Sequence, residues 1–89
     1  MKIAILGNGG REHALAVNIS KSYRVKKLYC LPGNAGTNLI AENVKLDICD
    51  FEKLEKFVKE KDISLVIVGP EQPLVEGVVD FLTNKGIKV

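Results

Sequence analysis

One feature restricts the fold of this chain more than any other. The apolar run Lys2–Leu6 (KIAIL) is followed at once by Gly7-Asn8-Gly9-Gly10, and then by a segment of different periodicity. A short run rich in β-branched residues, stopped by glycine, reads as a buried strand. Three glycines within four residues cannot be the interior of a helix. From Arg11 onward, Ala14, Leu15, Ala16, Val17 and Ile19 form an apolar face suited to a helix ending near Ser20. A strand, a glycine turn and a helix in immediate succession begin an α/β fold with the turn at the carboxyl end of the strand.

The remainder continues the alternation. Val25–Leu31 (VKKLYCL) predicts a second strand, stopped by Pro32-Gly33, and Pro32–Thr37 (PGNAGT) predicts a loop. Asn38–Glu42 has room for a short helical turn, and Asn43–Asp47 alternates like a short third strand. Asp50 is a suitable N-cap, Glu52 an acid in the first turn, and Phe51, Leu54, Phe57 and Val58 form a core-facing stripe in a helix that closes near Asp62. Ser64–Val68 (SLVIV) is the most apolar strand and is expected near the centre. It stops at Gly69-Pro70. Pro73–Asn84 predicts a helix with Leu74, Val75, Val78, Val79 and Leu82 facing inward, and Lys85-Gly86 ends it. Ile87–Val89 would begin a fifth strand.

Helices between the strands require right-handed crossovers and therefore a parallel sheet. The expected architecture is an open parallel α/β sheet with flanking helices, Rossmann-like, strand order 3-2-1-4-5, spanning residues 1–89 as one domain. In such sheets ligands bind beyond the carboxyl ends of the strands, where the order reverses. Three loops reach that edge: Gly7–Glu12, Pro32–Thr37 and Gly69–Leu74. They are also the glycine- and proline-rich stretches of the chain, and this coincidence points to a site.

Composition excludes several classes. A net charge of +2 is too mild to indicate nucleic-acid binding, and Lys21, Arg24, Lys26 and Lys27 read as a solvated helix end. Cys30 and Cys49 stand in no metal-ligand pattern and read as small core residues, so no metal site is expected. No apolar run approaches the roughly 18 residues of a membrane span. The start has no signal-peptide pattern, and the expected location is cytoplasmic.

A dinucleotide fingerprint, G-x-G-x-x-G, begins at Gly7 and fails at Glu12, where a side chain is expected to impede helix–strand packing. The acid that would hold a ribose at the end of the second strand is also missing: Cys30-Leu31-Pro32-Gly33 stands there. No Walker-A sequence occurs. The turn can still bring Gly9 and Gly10 backbone close to a ligand, with Arg11 as a cation for a phosphate or carboxylate. The alternative is a tight turn with Arg11 in solvent. Glu71 can either accept hydrogen bonds from hydroxyls or an amine, or cap the helix containing Pro73. A lone histidine such as His13 is more often a structural partner than a catalyst.

GNGGREHAL at Gly7–Leu15, PGNAGT at Pro32–Thr37 and VGPEQPLVEGVVD at Val68–Asp80 together resemble the N-terminal domain of the phosphoribosylamine–glycine ligase (glycinamide ribonucleotide synthetase) family, within the ATP-grasp superfamily. The likeness spans all 89 residues. It implies an enzyme of purine synthesis in which ATP phosphorylates the glycine carboxylate and the amine of 5-phosphoribosylamine attacks the acyl phosphate. Glycinamide ribonucleotide, ADP and phosphate are the products. The resemblance places substrate contacts at Gly9, Gly10 and Arg11, ribose-hydroxyl binding at Glu71, and weaker contacts at Asn34 and Thr37, with no catalytic base on this chain. ATP, glycine and Mg2+ or Mn2+ are implied for further domains of a longer enzyme, of which these residues would be an inactive fragment. A stand-alone nucleotide- or NAD-binding module, or a structural unit without a ligand, are the competing readings.

Overall fold

The structure is a computed structural model, and it describes residues 1–69 and 77–89. Strands β1 (Lys2–Gly7), β2 (Lys27–Pro32), β3 (Glu42–Asn43) and β4 (Leu65–Val68) alternate with helices α1 (Gly10–Ser20), α2 (Phe51–Glu60) and α3 (Val78–Asn84). A 3-10 turn, Thr37–Leu39, precedes β3. The strands form one sheet in the order β3-β2-β1-β4. Every pairing is parallel, with Ile5 opposite Cys30 on one side and Ile67 on the other. The first four strands thus take the expected order.

Alternation along the strands divides the core between two faces. Ile3, Ile5, Leu28 and Cys30 point to one face, where Ala16 of α1 covers them. Ala4, Leu6, Tyr29, Leu31 and Val66 point to the other, beneath Leu54, Phe57 and Val58 of α2 and Val78 and Leu82 of α3. The Phe57 ring meets Tyr29 edge-on at 5.3 Å between centroids, and Phe51 meets Phe81 at the same separation. Asp50 caps α2 as expected, its Oδ1 accepting from Lys53 N at 3.3 Å.

Several expectations are corrected. The central strand is β1, buried from Ile3 to Gly7, whereas β4 is the outer strand of the described sheet and is fully buried only at Val66. Strand β3 is Glu42–Asn43, and its last ladder bond runs from Val44 N to the Cys30 carbonyl at 2.9 Å; Leu46 and Ile48 beyond it still lean on the α2 side of the core, so their alternation records burial and not pairing. In α1 the inward face runs through Glu12 and Ala16, four residues apart, and Ala14 is exposed. A single helix from Pro73 to Asn84 is ruled out because Gly77 is left-handed at φ 89° and starts α3 as its N-cap. Val79 is exposed, and Leu74 and Val75 lie outside the described residues. Residues 87–89 form no strand, although Val66 N donates to the Lys88 carbonyl at 2.9 Å.

Candidate functional site

The carboxyl ends of β1, β2 and β4 are fastened together by backbone. Gly33 N donates to the Gly7 carbonyl at 3.0 Å, and Gly69 N donates to the Leu6 carbonyl at 3.2 Å. Gly7 leaves β1 at φ 133°, a conformation side-chain-bearing residues avoid, which turns the chain into α1. Gly9 caps α1 but has no side chain to serve the first N–H groups. Glu12, at the third helical position, reaches back instead, and Gly9 N donates to its Oε2 at 3.1 Å.

Glu12 is the residue whose role the sequence pattern conceals. Its side chain is 8% exposed, which is unusual for a carboxylate. A Cβ on Gly7 would lie 2.5 Å from Glu12 Cγ, one on Gly9 2.9 Å from Oε2, and one on Gly69 2.7 Å from Cγ and Cδ. The expectation that Glu12 impedes packing is therefore corrected: glycines on the facing strand ends make the room it fills. Gly69 was the available signal, being a glycine that ends β4 as Gly7 ends β1.

Arg11 extends from the same turn. Its Nη2 donates to the Gly69 carbonyl at 2.5 Å and lies 4.0 Å from Glu12 Oε1, while the side chain is 73% exposed. The guanidinium thus spans the β1 turn and the end of β4, and has further donors to offer. Asn8, Gly10 and Arg11 form the exposed lip of this wall.

The second loop is held from within. Asn34 Nδ2 donates to the Asn8 carbonyl at 2.9 Å, tying this loop to the glycine turn. Asn34 Oδ1 accepts from Thr37 N at 3.0 Å, and Asn34 N donates to Thr37 Oγ1 at 2.8 Å. Thr37 is completely buried, and its hydroxyl also meets Asn43 Oδ1 at 2.8 Å. Asn43 Nδ2 returns to the Asn34 carbonyl at 2.7 Å. Asn43 has no motif to mark it, yet it completes the network. Its nearness requires a glycine at 33, where a Cβ would stand 2.5 Å from Asn43 Cγ. The His13 ring lies over Gly36, where a Cβ would stand 2.7 Å from Nδ1. This histidine packs α1 onto the loop.

Beneath Thr37, burial pushes the Cys30 thiol above its ordinary pKa, and the hydrogen bond with Thr37 offsets part of that rise. Among the described residues no buried side-chain polar atom lacks a partner, and no three His, Cys, Asp or Glu side chains gather as metal ligands. None of the described helices is long and apolar enough to cross a membrane. A cleft of about 560 Å3 lies at the opposite end of the sheet, between Ser20, Val25–Leu28 and residues 38–42, away from the glycine turn.

Of the site residues expected from sequence, Gly9, Gly10 and Arg11 stand together at the rim. Asn34 binds the two loops to each other, Thr37 is enclosed, and Glu71 lies outside the described residues. The wall offers amide and guanidinium donors to an oxygen-rich ligand.

Residues 1–89 match the family model described as phosphoribosylglycinamide synthetase, N domain. The chain belongs to this family. It is 48% identical over 89 residues to the phosphoribosylamine–glycine ligase of Caldanaerobacter subterraneus subsp. tengcongensis, covering 100% of this chain and 21% of that protein. Against the enzyme of that name from Pseudomonas putida it is 52% identical over 89 residues, covering 98% and 20% respectively. The crystal structure of phosphoribosylamine–glycine ligase from Thermotoga maritima superposes with a TM-score of 0.64 at 29% identity, over 81% of this chain and 16% of that one. The chain therefore spans about a fifth of the length of the curated relatives it matches.

Proposed function

We propose that this chain is one wall of the phosphoribosyl-substrate site of a phosphoribosylamine–glycine ligase, acting in purine biosynthesis in the cytoplasm. One observation carries the reading: the glycine turn and the PGNAGT loop, both family motifs, are fastened at one sheet edge by the Asn34–Asn8 bond, with Arg11 tying the turn to Gly69. A rigid set of donors at the carboxyl edge is where an open parallel sheet receives its ligand.

In this reading the backbone at Gly9 and Gly10 approaches the sugar closely because neither residue has a side chain in the way. Arg11 offers its outward donors to the ligand. Asn34 positions the turn, Thr37 holds Asn34, and Glu71 accepts from the ribose hydroxyls. The wall orients the amine-bearing sugar; holding two reactants in register supplies much of the rate in such a ligation. ATP, glycine and the divalent ion are assigned to the remaining domains of the full-length protein, and the chain alone is not a ligase.

The test is an amide-shift titration of the full-length protein with glycinamide ribonucleotide. Saturable shifts at Gly9, Gly10 and Arg11 are expected, with affinity falling at least about tenfold in Glu71→Ala, the loss of a charged hydrogen bond. Saturation with shifts only in regions remote from these residues would refute the assignment.

A further inference from the structure

The loop Pro32–Thr37 holds the glycine turn through the Asn34 side chain. Asn34 Nδ2 donates to the Asn8 carbonyl at 2.9 Å and lies 3.4 Å from the Gly9 carbonyl. Its Oδ1 accepts from Thr37 N at 3.0 Å. These partners fix the amide's orientation, because Thr37 N only donates and the carbonyls only accept. The Asn8 carbonyl and Gly9 N belong to one planar peptide group. On the far side of that group Gly9 N donates to Glu12 Oε2 at 3.1 Å. The Asn8–Gly9 peptide is thus clamped from both sides, and its orientation sets the course of the backbone into Gly10 and Arg11.

Asn34 is held in turn by Asn43, the last residue of β3. Asn43 stands opposite Cys30 in the ladder, so the sheet fixes its backbone. Both ends of its amide serve the loop. Nδ2 donates to the Asn34 carbonyl at 2.7 Å, and Oδ1 accepts from the Thr37 hydroxyl at 2.8 Å. That hydroxyl, which is also 3.0 Å from the Asn34 carbonyl, accepts from Asn34 N at 2.8 Å. The backbone polar groups of Asn34 are therefore held by Asn43 and Thr37 together. A Cβ at Gly33 would stand 2.5 Å from Asn43 Cγ, so the loop forgoes a side chain where Asn43 enters. A simpler role exists, that of a stabilising contact within the loop. Such a role would end at Asn34, whereas the bonds continue to Asn8, 26 positions earlier and at the end of a different strand.

We infer that Asn43 is a positioning residue for the phosphoribosyl site: by fixing Asn34 it orients the Asn8–Gly9 peptide, and with it the donors at Gly10 and Arg11. The inference deepens the reading above and rests on it for the identity of the ligand. Asn43 itself touches no substrate, and its effect travels through the Asn34 side chain. An amide is required at this position because a donor and an acceptor must be offered at once. A carboxylate of the same size would set a second acceptor against the Asn34 carbonyl.

The experiment uses the full-length protein labelled with 15N-glycine, with glycinamide ribonucleotide as the probe. Without ligand, Asn43→Ala should move the Gly9 amide resonance as Asn34→Ala does, because each loosens the bond to the Asn8 carbonyl. It should also weaken binding of the probe at least about fivefold, the worth of one hydrogen bond. In an Asn34→Ala background the same substitution should change affinity less than about twofold. It should still lower stability in urea there, since the Asn34 carbonyl and the Thr37 hydroxyl remain for Asn43 to bind. A merely structural Asn43 would not separate affinity from stability in this way. Asn43→Asp leaves no cavity, should show the same two effects, and decides the matter if the alanine variant does not fold. Wild-type affinity or an unmoved Gly9 resonance in a folded Asn43 variant would overturn the inference. Equal fold losses of affinity with and without the Asn34 side chain would overturn it too. A probe that binds the wild type away from the turn would overturn the substrate reading and not the relay, which the ligand-free Gly9 resonance decides.

Discussion

Gly69→Ala tests the packing around Glu12 without straining the folded backbone. Gly69 is not among the left-handed residues, so alanine can adopt its conformation. The added Cβ would lie 2.7 Å from Glu12 Cγ and Cδ and closer still to Oε1, so the carboxylate must leave its place and release Gly9 N. Losing that charged hydrogen bond costs about 1.5–3 kcal/mol, and the crowding adds about 1–3 kcal/mol. Against this, alanine restricts the unfolded chain, returning about 0.4–1 kcal/mol. The net expectation is a loss of about 1.5–5.5 kcal/mol, each kcal/mol lowering Tm by about 4–8 °C for a chain of this size. With Glu12→Ala already in place the Cβ meets no carboxylate, and the same substitution should cost less than about 1 kcal/mol. Urea unfolding of the wild type, both single variants and the double variant gives the coupling directly. Equal costs for Gly69→Ala in both backgrounds would refute the account of how Glu12 is housed.

Three other outcomes follow from named contacts. Asn34→Ala removes the tie to Asn8 and the acceptor for Thr37 N, and should destabilise the chain by about 1–3 kcal/mol in urea melts; Asn34→Asp, which keeps the acceptor, should recover part of that. Gly36→Ala presses a Cβ into the His13 ring, and the loss of stability should largely vanish when combined with His13→Ala. The raised Cys30 thiol makes stability depend on pH. Below the ordinary thiol value of 9.0 the folded and unfolded chains are both protonated there, and above it the unfolded chain ionises first, so stability falls as pH rises, by at most about 1.4 kcal/mol per pH unit. Urea melts between pH 8 and 10 should show this extra slope in the wild type and not in Cys30→Ala.

Fold class was legible because β1 and the loops leave little choice. The KIAIL run, its glycine stop and the helix period after Arg11 determine a β-turn-α unit, and the Asp50 cap begins α2 where the sequence places it. What was not legible depends on partners distant in sequence. Apolarity alone suggested a central β4, but position in a sheet is decided by pairing on both sides, which among the described residues β1 and β2 have. Gly77 gave no warning that it would be left-handed, since a glycine within a helical pattern is often tolerated. At the rim, Gly9, Gly10 and Arg11 were visible as a motif. Glu12 was visible only as a misfit, because its meaning lies in Gly69, 57 positions further along the chain. Thr37 was legible only as a weaker substrate contact in a loop, and Asn43, which no motif marks, helps enclose it.

The most direct test of the central claim is a crystal structure of the full-length protein with glycinamide ribonucleotide bound. The account predicts ribosyl or amide oxygens within hydrogen-bond reach of the Gly10 or Arg11 donors. A ligand bound with no contact to residues 8–11 would contradict it.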